Sequence, residues 1–339
     1  MKQNDWFKES QYGMMIHFGL YSLLGGEYKG KQMGDVISEW IQSYFQIPCK
    51  EYEKLLAAFN PIYFNADEWT DLAIKAGMKY VVITSKHHEG FALFKSYVDK
   101  YNVVDSTPFK RDIIKELSDS CHKKGLKFGL YYSQELDWHE PYSGGYSETF
   151  ETNQGKPWKN TWDFPNEEPN FEKCFRRKIV PQVTELLTNY GDIDLIWFDT
   201  PTDISKEQSQ ELYDLVKKYQ PNCLINSRIG NGLYDYIALN DNEVPDNLMD
   251  SEHVRGALGM HDNQLGLYES ACTLNETWGF SYFDNKYKTS DEVYKIKNKL
   301  NKLGANYLIN VGPDHLGRIP TECIEILKKT KELESTNVK

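Results

Sequence analysis

Asp192-Ile193-Asp194-Leu195-Ile196-Trp197-Phe198-Asp199-Thr200 is an apolar run that follows Gly191 and gives way to Pro201-Thr202-Asp203. A run of this length between turn residues has the pattern of a strand buried on both faces. It ends by presenting a carboxylate, Asp199. That group could cap the next helix, a task open equally to Asp203 or Ser205, or it could be a catalytic group at the mouth of a parallel barrel.

The same pattern recurs along the chain. Met14-Met15-Ile16-His17-Phe18-Gly19 predicts a first strand ending on His17. Lys79 to Ser85 is a β-branched run that leads into Lys86-His87-His88-Glu89-Gly90, and Lys127 to Ser133 precedes Glu135 and Asp137-Trp138. Further strands are predicted at Cys223 to Arg228, Tyr268 to Asn275 and Asn306 to Pro313. Helical spacing separates them: from Trp40 to about Phe59, Ala66 to Ala76 with Asn65 as cap, Arg111 to Lys124, Phe171 to Tyr190 with a kink at Pro181, Lys206 to Tyr219, and Ser290 to Leu303. Two irregular stretches, about 140–170 and 230–266, interrupt the alternation. Strands that each lead through a polar loop into a helix require parallel pairing with right-handed crossovers. The expected fold is α/β, a (β/α)8-like barrel forming a single domain over 1–339, with the eighth strand not located. A doubly wound open sheet is the rival, but no Gly-x-Gly-x-x-Gly follows a strand.

Composition narrows the function classes. A net charge of −11 and a pI near 5.3 leave no dense Lys/Arg face for nucleic acid. The first ten residues hold no apolar segment of signal-peptide type, and no run of some eighteen apolar residues follows, so neither export nor a membrane partner is expected and the location is expected to be cytoplasmic. The six cysteines include no Cys-x-x-Cys pair and are expected to be free thiols. The 23 Tyr and 8 Trp sit in a chain of mean hydropathy −0.63. Such rings suit sugars, because a ring face covers C–H groups while its O–H or N–H hydrogen-bonds.

A barrel brings His17, His87, His88, Tyr131, Asp199, Arg228 and Glu269 to one face, with Trp40 and Trp197 as aromatic walls. Each has a plainer alternative. A histidine can be a satisfied structural group, Glu39 and Trp40 can be the first turn of a helix, and Arg228 can simply pair with a carboxylate. Metal catalysis is disfavoured, since adjacent His87 and His88 point to opposite sides of an extended chain and no His-x-His exists. No metal and no cofactor are expected. A Gly-x-Ser-x-Gly elbow is also absent. Glycoside hydrolysis remains, and it needs two carboxyl groups flanking an anomeric carbon. Asp199 can be one, while spacing leaves the second open among several acids of the 230–266 stretch: Asp235, Asp241, Glu243, Asp246, Asp250 and Glu252.

Six segments in order resemble the α-L-fucosidases of glycoside hydrolase family twenty-nine: Met15-Ile16-His17-Phe18-Gly19-Leu20-Tyr21-Ser22, Ser38-Glu39-Trp40, Thr84-Ser85-Lys86-His87-His88-Glu89-Gly90-Phe91, Gly129-Leu130-Tyr131-Tyr132-Ser133, Ile196-Trp197-Phe198-Asp199, and Asn306-Tyr307-Leu308-Ile309-Asn310-Val311-Gly312-Pro313. The resemblance implies a retaining exo-enzyme that removes terminal α-L-fucose from a fucosylated glycan, with Asp199 as nucleophile. It implies that His17, Glu39, Trp40, His87, His88, Tyr131, Trp197 and Arg228 line the fucose pocket. For the acid/base, Tyr268-Glu269-Ser270-Ala271-Cys272 looks like the family's Trp-Glu-x-Cys segment and makes Glu269 the first choice. Asn240-Asp241-Asn242-Glu243 looks like another acid-bearing segment and makes Asp241 and Glu243 alternatives.

The chain departs from the family pattern in two places. Asp241 is one methylene shorter than the usual Glu, and Thr200 stands where many members have Gly. A C-terminal β-sandwich carried by many relatives is expected to be missing. The rival readings are a retaining glycosidase for a similar sugar such as L-galactose, and a fucose-binding protein on the same fold with impaired catalysis. Assembly into a homo-oligomer is left open.

Overall fold

The computed structural model describes residues 5–34, 37–145, 158–165, 167–168 and 170–337. The middle of the irregular stretch expected over 140–170 therefore lies outside the described residues. Eight strands form one parallel sheet: β1 (Tyr12–Ile16), β2 (Tyr80–Lys86), β3 (Lys127–Ser133), β4 (Leu195–Asp199), β5 (Leu224–Ile225), β6 (Ile237–Ala238), β7 (Tyr268–Thr273) and β8 (Ala305–Val311). Their order is β5-β4-β3-β2-β1-β8-β7-β6. The two edges meet through a single parallel bridge between Asn226 and Tyr236. There the Asp235 and Tyr236 N–H groups both donate to the Ile225 carbonyl, at 2.8 and 3.2 Å. The fold is a (β/α)8-like barrel.

The eighth strand is β6, only two residues long and set inside the 230–266 stretch that shows no sequence periodicity. It is short because its neighbour is short. β5 stops at Ile225, before the predicted Arg228, since the Asn226 side chain takes over the ladder: its amide accepts from Phe198 N–H and donates to Phe198 C=O, both at 2.9 Å. The chain then turns through a 3₁₀ segment, Ser227–Ile229. Side chains alternate along the strands. Met15, Tyr80, Val82, Tyr131, Leu195, Trp197 and Leu308 fill the barrel, while Met14, Ile16, Val81, Ile83, Leu130 and Phe198 face the helices.

Outer helices follow the strands: α1 (Ala66–Lys75), α2 (Ile113–Lys124), α3 (Val180–Asn189), α4 (Lys206–Tyr219), α5 (Glu252–Met260), α6 (Ser290–Lys302) and α7 (Thr321–Asn337). Their starts are written in the sequence. Asn65 and Asp112 accept from first-turn N–H groups, and Ser205 with Gln208 and Thr289 with Glu292 form reciprocal capping boxes. Two expected helices come out differently. The one from Trp40 to Phe59 is broken into short turns, with Pro48 interrupting it. The one expected to kink at Pro181 instead widens into a π turn at Phe175–Ile179, just ahead of the proline that cannot donate.

A short helix, Asp5–Ser10, covers the N-terminal end of the barrel. Its Phe7 ring packs on Tyr236 and Tyr80, with centroids 4.9 and 6.1 Å apart, and its Phe7 carbonyl accepts from Asn306 at 2.8 Å. With that end plugged, the open end is the one where the strands finish. No helix among the described residues is long and apolar enough to cross a membrane.

Candidate active site

Asp199 is the last residue of β4 and lies at the floor of a cavity of about 1290 Å³. Tyr131 Oη donates to its Oδ2 at 2.7 Å, and Arg228 Nη1 donates to its Oδ1 at 3.1 Å. Both donors are dependable. Burial and the Asp199 charge push the Tyr131 phenol far above its ordinary value, so it stays protonated. Burial opposes the Arg228 charge, but Asp241 and Asp199 outweigh it and hold the guanidinium protonated. Its carbon sits 4.6 Å over the Trp197 ring, which in turn stacks on Tyr131. The carboxylate is thus oriented by a phenol, a cation and the aromatic layer beneath them.

All three histidines are held neutral by burial, and for His17 and His88 the partners fix which nitrogen accepts. Asn310 donates its amide N–H to the Trp278 carbonyl at 2.7 Å, which leaves its Oδ1 to face His17 Nδ1 at 2.7 Å. His17 therefore carries its proton on Nδ1 and presents a lone pair at Nε2. Ser133 spends its hydroxyl proton on the Leu136 carbonyl at 2.7 Å, so it accepts from His88 Nδ1 at 2.7 Å, and His88 likewise presents Nε2 as acceptor. Burial pulls His17 down to about 4, only partly offset by Asn310 and Asp199. It pulls His87 and His88 well below the ordinary value, and at each the Lys86 ammonium and a neighbouring imidazole further disfavour a second charge. His87 stacks on Tyr131 with its Nδ1 buried and unpartnered. Neutral imidazoles with outward lone pairs suit sugar hydroxyls.

Glu39 and Trp40 belong to a 3₁₀ turn, Ser38–Trp40, and both line the cavity. Glu39 Oε2 accepts from Gly279 N–H at 2.8 Å and Thr277 Oγ1 at 3.2 Å, yet burial still lifts its carboxyl to about 7. Trp40 packs edge-on against His88, Trp138 and Trp158. The predicted fucose-pocket residues, His17, Glu39, Trp40, His87, His88, Tyr131, Trp197 and Arg228, all line one cavity. Sequence reasoning missed Trp278, whose ring lies 5.1 Å from His17, and Trp158. Trp278 follows the end of β7, so the strand-end rule that found the histidines also pointed to it.

The carboxyl partners separate by position. Glu269 is the second residue of β7, paired in register with Ala238 and Asn306 near the plugged end, and is fully buried. Tyr80 Oη donates to it at 2.6 Å and Trp197 Nε1 at 2.9 Å. It does not line the cavity, because it lies four residues before the end of β7 rather than at that end, where it was expected. Asp241 and Glu243 do line it. Glu243 Oε2 is committed to Asn240 N–H at 2.9 Å and Ser251 Oγ at 2.7 Å. Asp241 accepts from Arg228 Nη2 at 2.5 Å, with its side chain 49% exposed, so one guanidinium bridges Asp199 and Asp241. Of the other acids in that stretch, Asp235 is tied to Lys217 and Tyr213, Asp246 to Lys299, and Asp250 to the Asn247 cap. Glu252 reaches the cavity from the start of α5.

Burial raises the Glu269 carboxyl from its ordinary 4.5 to about 7. The folded chain therefore holds a proton there that the unfolded chain has lost, and this contribution to stability fades as pH rises from 4.5 through 7. Glu269→Gln cannot ionise. Thermal melts at pH 5 and pH 8 should show the melting temperature of this variant improving relative to the parent at the higher pH; an unchanged or reversed gap would contradict the raised carboxyl.

The α-L-fucosidase family model matches residues 1–336. The plasma α-L-fucosidase of Homo sapiens is 28% identical over 345 residues, covering 96% of this chain and 66% of its own length. A Caenorhabditis elegans relative named for the same activity is 27% identical, and the chain spans 62% of it. Among solved structures, the α-L-fucosidase AlfC of Lactobacillus casei, described in complex with its α-L-fucose product, superposes with a TM-score of 0.92 at 52% identity over 99% of both chains. The α-L-fucosidase of a Vibrio species reaches 0.86 at 34% identity, over 99% of this chain and 55% of its own. With the family model matching residues 1–336 and the barrel superposing over nearly its whole length, this chain belongs to the α-L-fucosidase family.

Proposed function

We propose that the protein is a retaining exo-α-L-fucosidase acting on terminal α-L-fucose of oligosaccharides or glycoconjugates, with Asp199 as nucleophile and Asp241 as acid/base. The observation that carries this reading is the shared Arg228 guanidinium, which holds two pocket carboxylates side by side while Tyr131 fixes the inner one. In the first step Asp241, having taken up a proton from solvent at the open mouth, gives it to the departing oxygen as an Asp199 oxygen attacks the anomeric carbon and the glycosidic bond breaks. A β-fucosyl ester and the free acceptor sugar result. In the second step Asp241 takes a proton from water, the water oxygen attacks the anomeric carbon, and the Asp199 carboxylate leaves. The exposure of Asp241 at the mouth suits a group that must meet both leaving group and water.

His17 and His88 accept hydrogen bonds from sugar hydroxyls at Nε2, while Trp40 and Trp278 offer apolar faces. The cavity exceeds the roughly 300–1,000 Å³ usual for small-ligand sites, which leaves room beyond one sugar ring for the acceptor side. A structure of AlfC in complex with Fuca(1,6)GlcNAc supports a fucosyl disaccharide as one substrate type. Within this reading the catalytic unit is the single barrel, Glu269 supports Trp197 from below, and the enzyme works without a metal or cofactor. The test compares aryl α-L-fucoside with aryl α-L-galactoside, its 6-hydroxy counterpart. Turnover of the fucoside at least about tenfold faster is expected, the scale that one added polar group in an apolar site sets. Turnover of the galactoside alone would assign the site to L-galactose, and binding of fucose without turnover would make it a lectin-like site.

A further inference from the structure

Thr200, directly after the proposed nucleophile, has φ +57°. A β-branched residue in the left-handed region is strained, because its Cβ crowds the backbone there. Glycine takes that conformation freely. Something must hold the threonine in it, and the next residues supply the means. Thr202, Asp203 and Ile204 aim three successive backbone N–H groups at one carboxylate, that of Glu135, which projects from the loop after β3. Its Oε2 accepts from Thr202 N–H at 2.9 Å, Thr202 Oγ1 at 2.7 Å and Asp203 N–H at 2.7 Å, and its Oε1 accepts from Ile204 N–H at 2.6 Å. Consecutive N–H groups converging in this way form a concavity for an acceptor of negative charge; here it is a fully buried carboxyl of the same protein, lifted by burial to about 7 against the pull of these same donors.

The turn thus clamped connects to the site at both ends. Thr200 Oγ1 donates to the Asp199 carbonyl at 2.8 Å, and Thr202 N–H closes back on the Thr200 carbonyl at 3.0 Å. Thr200, Pro201 and Thr202 all line the cavity. Without the clamp, Thr200 relaxes toward a favoured φ and the end of β4 rotates, carrying the Asp199 carboxylate away from Tyr131 and Arg228. We infer that Glu135 is a positioning residue for Asp199, acting through the Thr202–Ile204 turn to keep Thr200 in its left-handed conformation. This rests on Asp199 being the nucleophile.

The experiment is a cycle of Glu135→Gln, Thr200→Gly and both together, read as kcat and KM on an aryl α-L-fucoside, with melting temperature recorded alongside. Glutamine can accept at one end only, so Glu135→Gln should lower kcat by about tenfold or more while KM stays within about threefold. In the presence of Thr200→Gly that loss should shrink by at least about fivefold, because glycine needs no clamp. A loss of equal size in both backgrounds, or an unchanged kcat in Glu135→Gln, would overturn the inference. A merely structural role lowers the melting temperature without this coupling in kcat. Should Glu135→Gln fail to fold, Thr202→Val removes one of the four donors and is read in the same cycle, with a smaller kcat loss that Thr200→Gly again diminishes. Asp199→Gly is the control: if it still turns over, the nucleophile reading fails; if it is inactive and the coupling is absent, only the clamp fails.

Discussion

Asp199→Gly is expected to abolish hydrolysis of α-L-fucosides, with kcat down by about 10³-fold or more, the scale on which loss of an oriented nucleophile is felt. The fold should survive. Asp199 is at a strand end, and its two partners keep other contacts: Tyr131 stacks on Trp197, and Arg228 donates to Asp241 and the Leu239 carbonyl. Removing the carboxylate leaves a gap beside a cation, which is a site for a small anion. Added azide should enter it, attack the anomeric carbon directly and expel the leaving group. That is a single displacement, so the product is β-L-fucosyl azide, inverted relative to the substrate. Product stereochemistry by NMR is the measurement. Unimpaired turnover, or an azide product of α configuration, would remove Asp199 from the nucleophile role.

Much of this was legible in the sequence because it follows from strand ends. Continuous apolar runs such as Lys79 to Ser85 and Lys127 to Ser133 can only be buried strands, and in a parallel barrel their C-terminal ends must converge. That rule alone brings His87, His88, Tyr131 and Asp199 to one face. The rule failed where a strand owes its place to something other than its own pattern. β6 has two residues and is recognised only through Leu267 and Glu269 of the β7 side, whose carbonyls accept from Ile237 and Leu239 N–H. Glu269 shows the other limit: a motif says that a carboxyl lies on a strand, but register decides its height, and register is set by β6 and β8. The Glu135 clamp was invisible for a related reason. A glutamate after a strand has no sequence sign of what it will hold, and here that is a backbone turn 67 to 69 residues away. The one sequence sign is Thr200, a β-branched residue in the turn directly after the strand-end carboxylate.

The height of Glu269 bears on the second large effect. An acid/base must meet the leaving-group oxygen and later a water, so it needs access from the mouth; Asp241 has it, whereas Glu269 lies under Trp197 with both oxygens engaged. Asp241→Gly should therefore lower kcat/KM on a fucosyl disaccharide by about 10²–10⁴-fold, the range for loss of general acid catalysis. On an aryl fucoside with a strongly acidic phenol the first step needs little protonation, so the loss should be much smaller and should fall on the second step, where water is no longer deprotonated. The fucosyl ester then accumulates, and azide, which needs no base, intercepts it from the face the leaving group vacated. The product is α-L-fucosyl azide, of retained configuration and opposite to that from Asp199→Gly. Glu269→Gln should give neither the substrate-dependent loss nor an azide adduct. If that variant, rather than Asp241→Gly, releases α-L-fucosyl azide, the acid/base lies at Glu269 and the barrel interior must open to solvent during turnover.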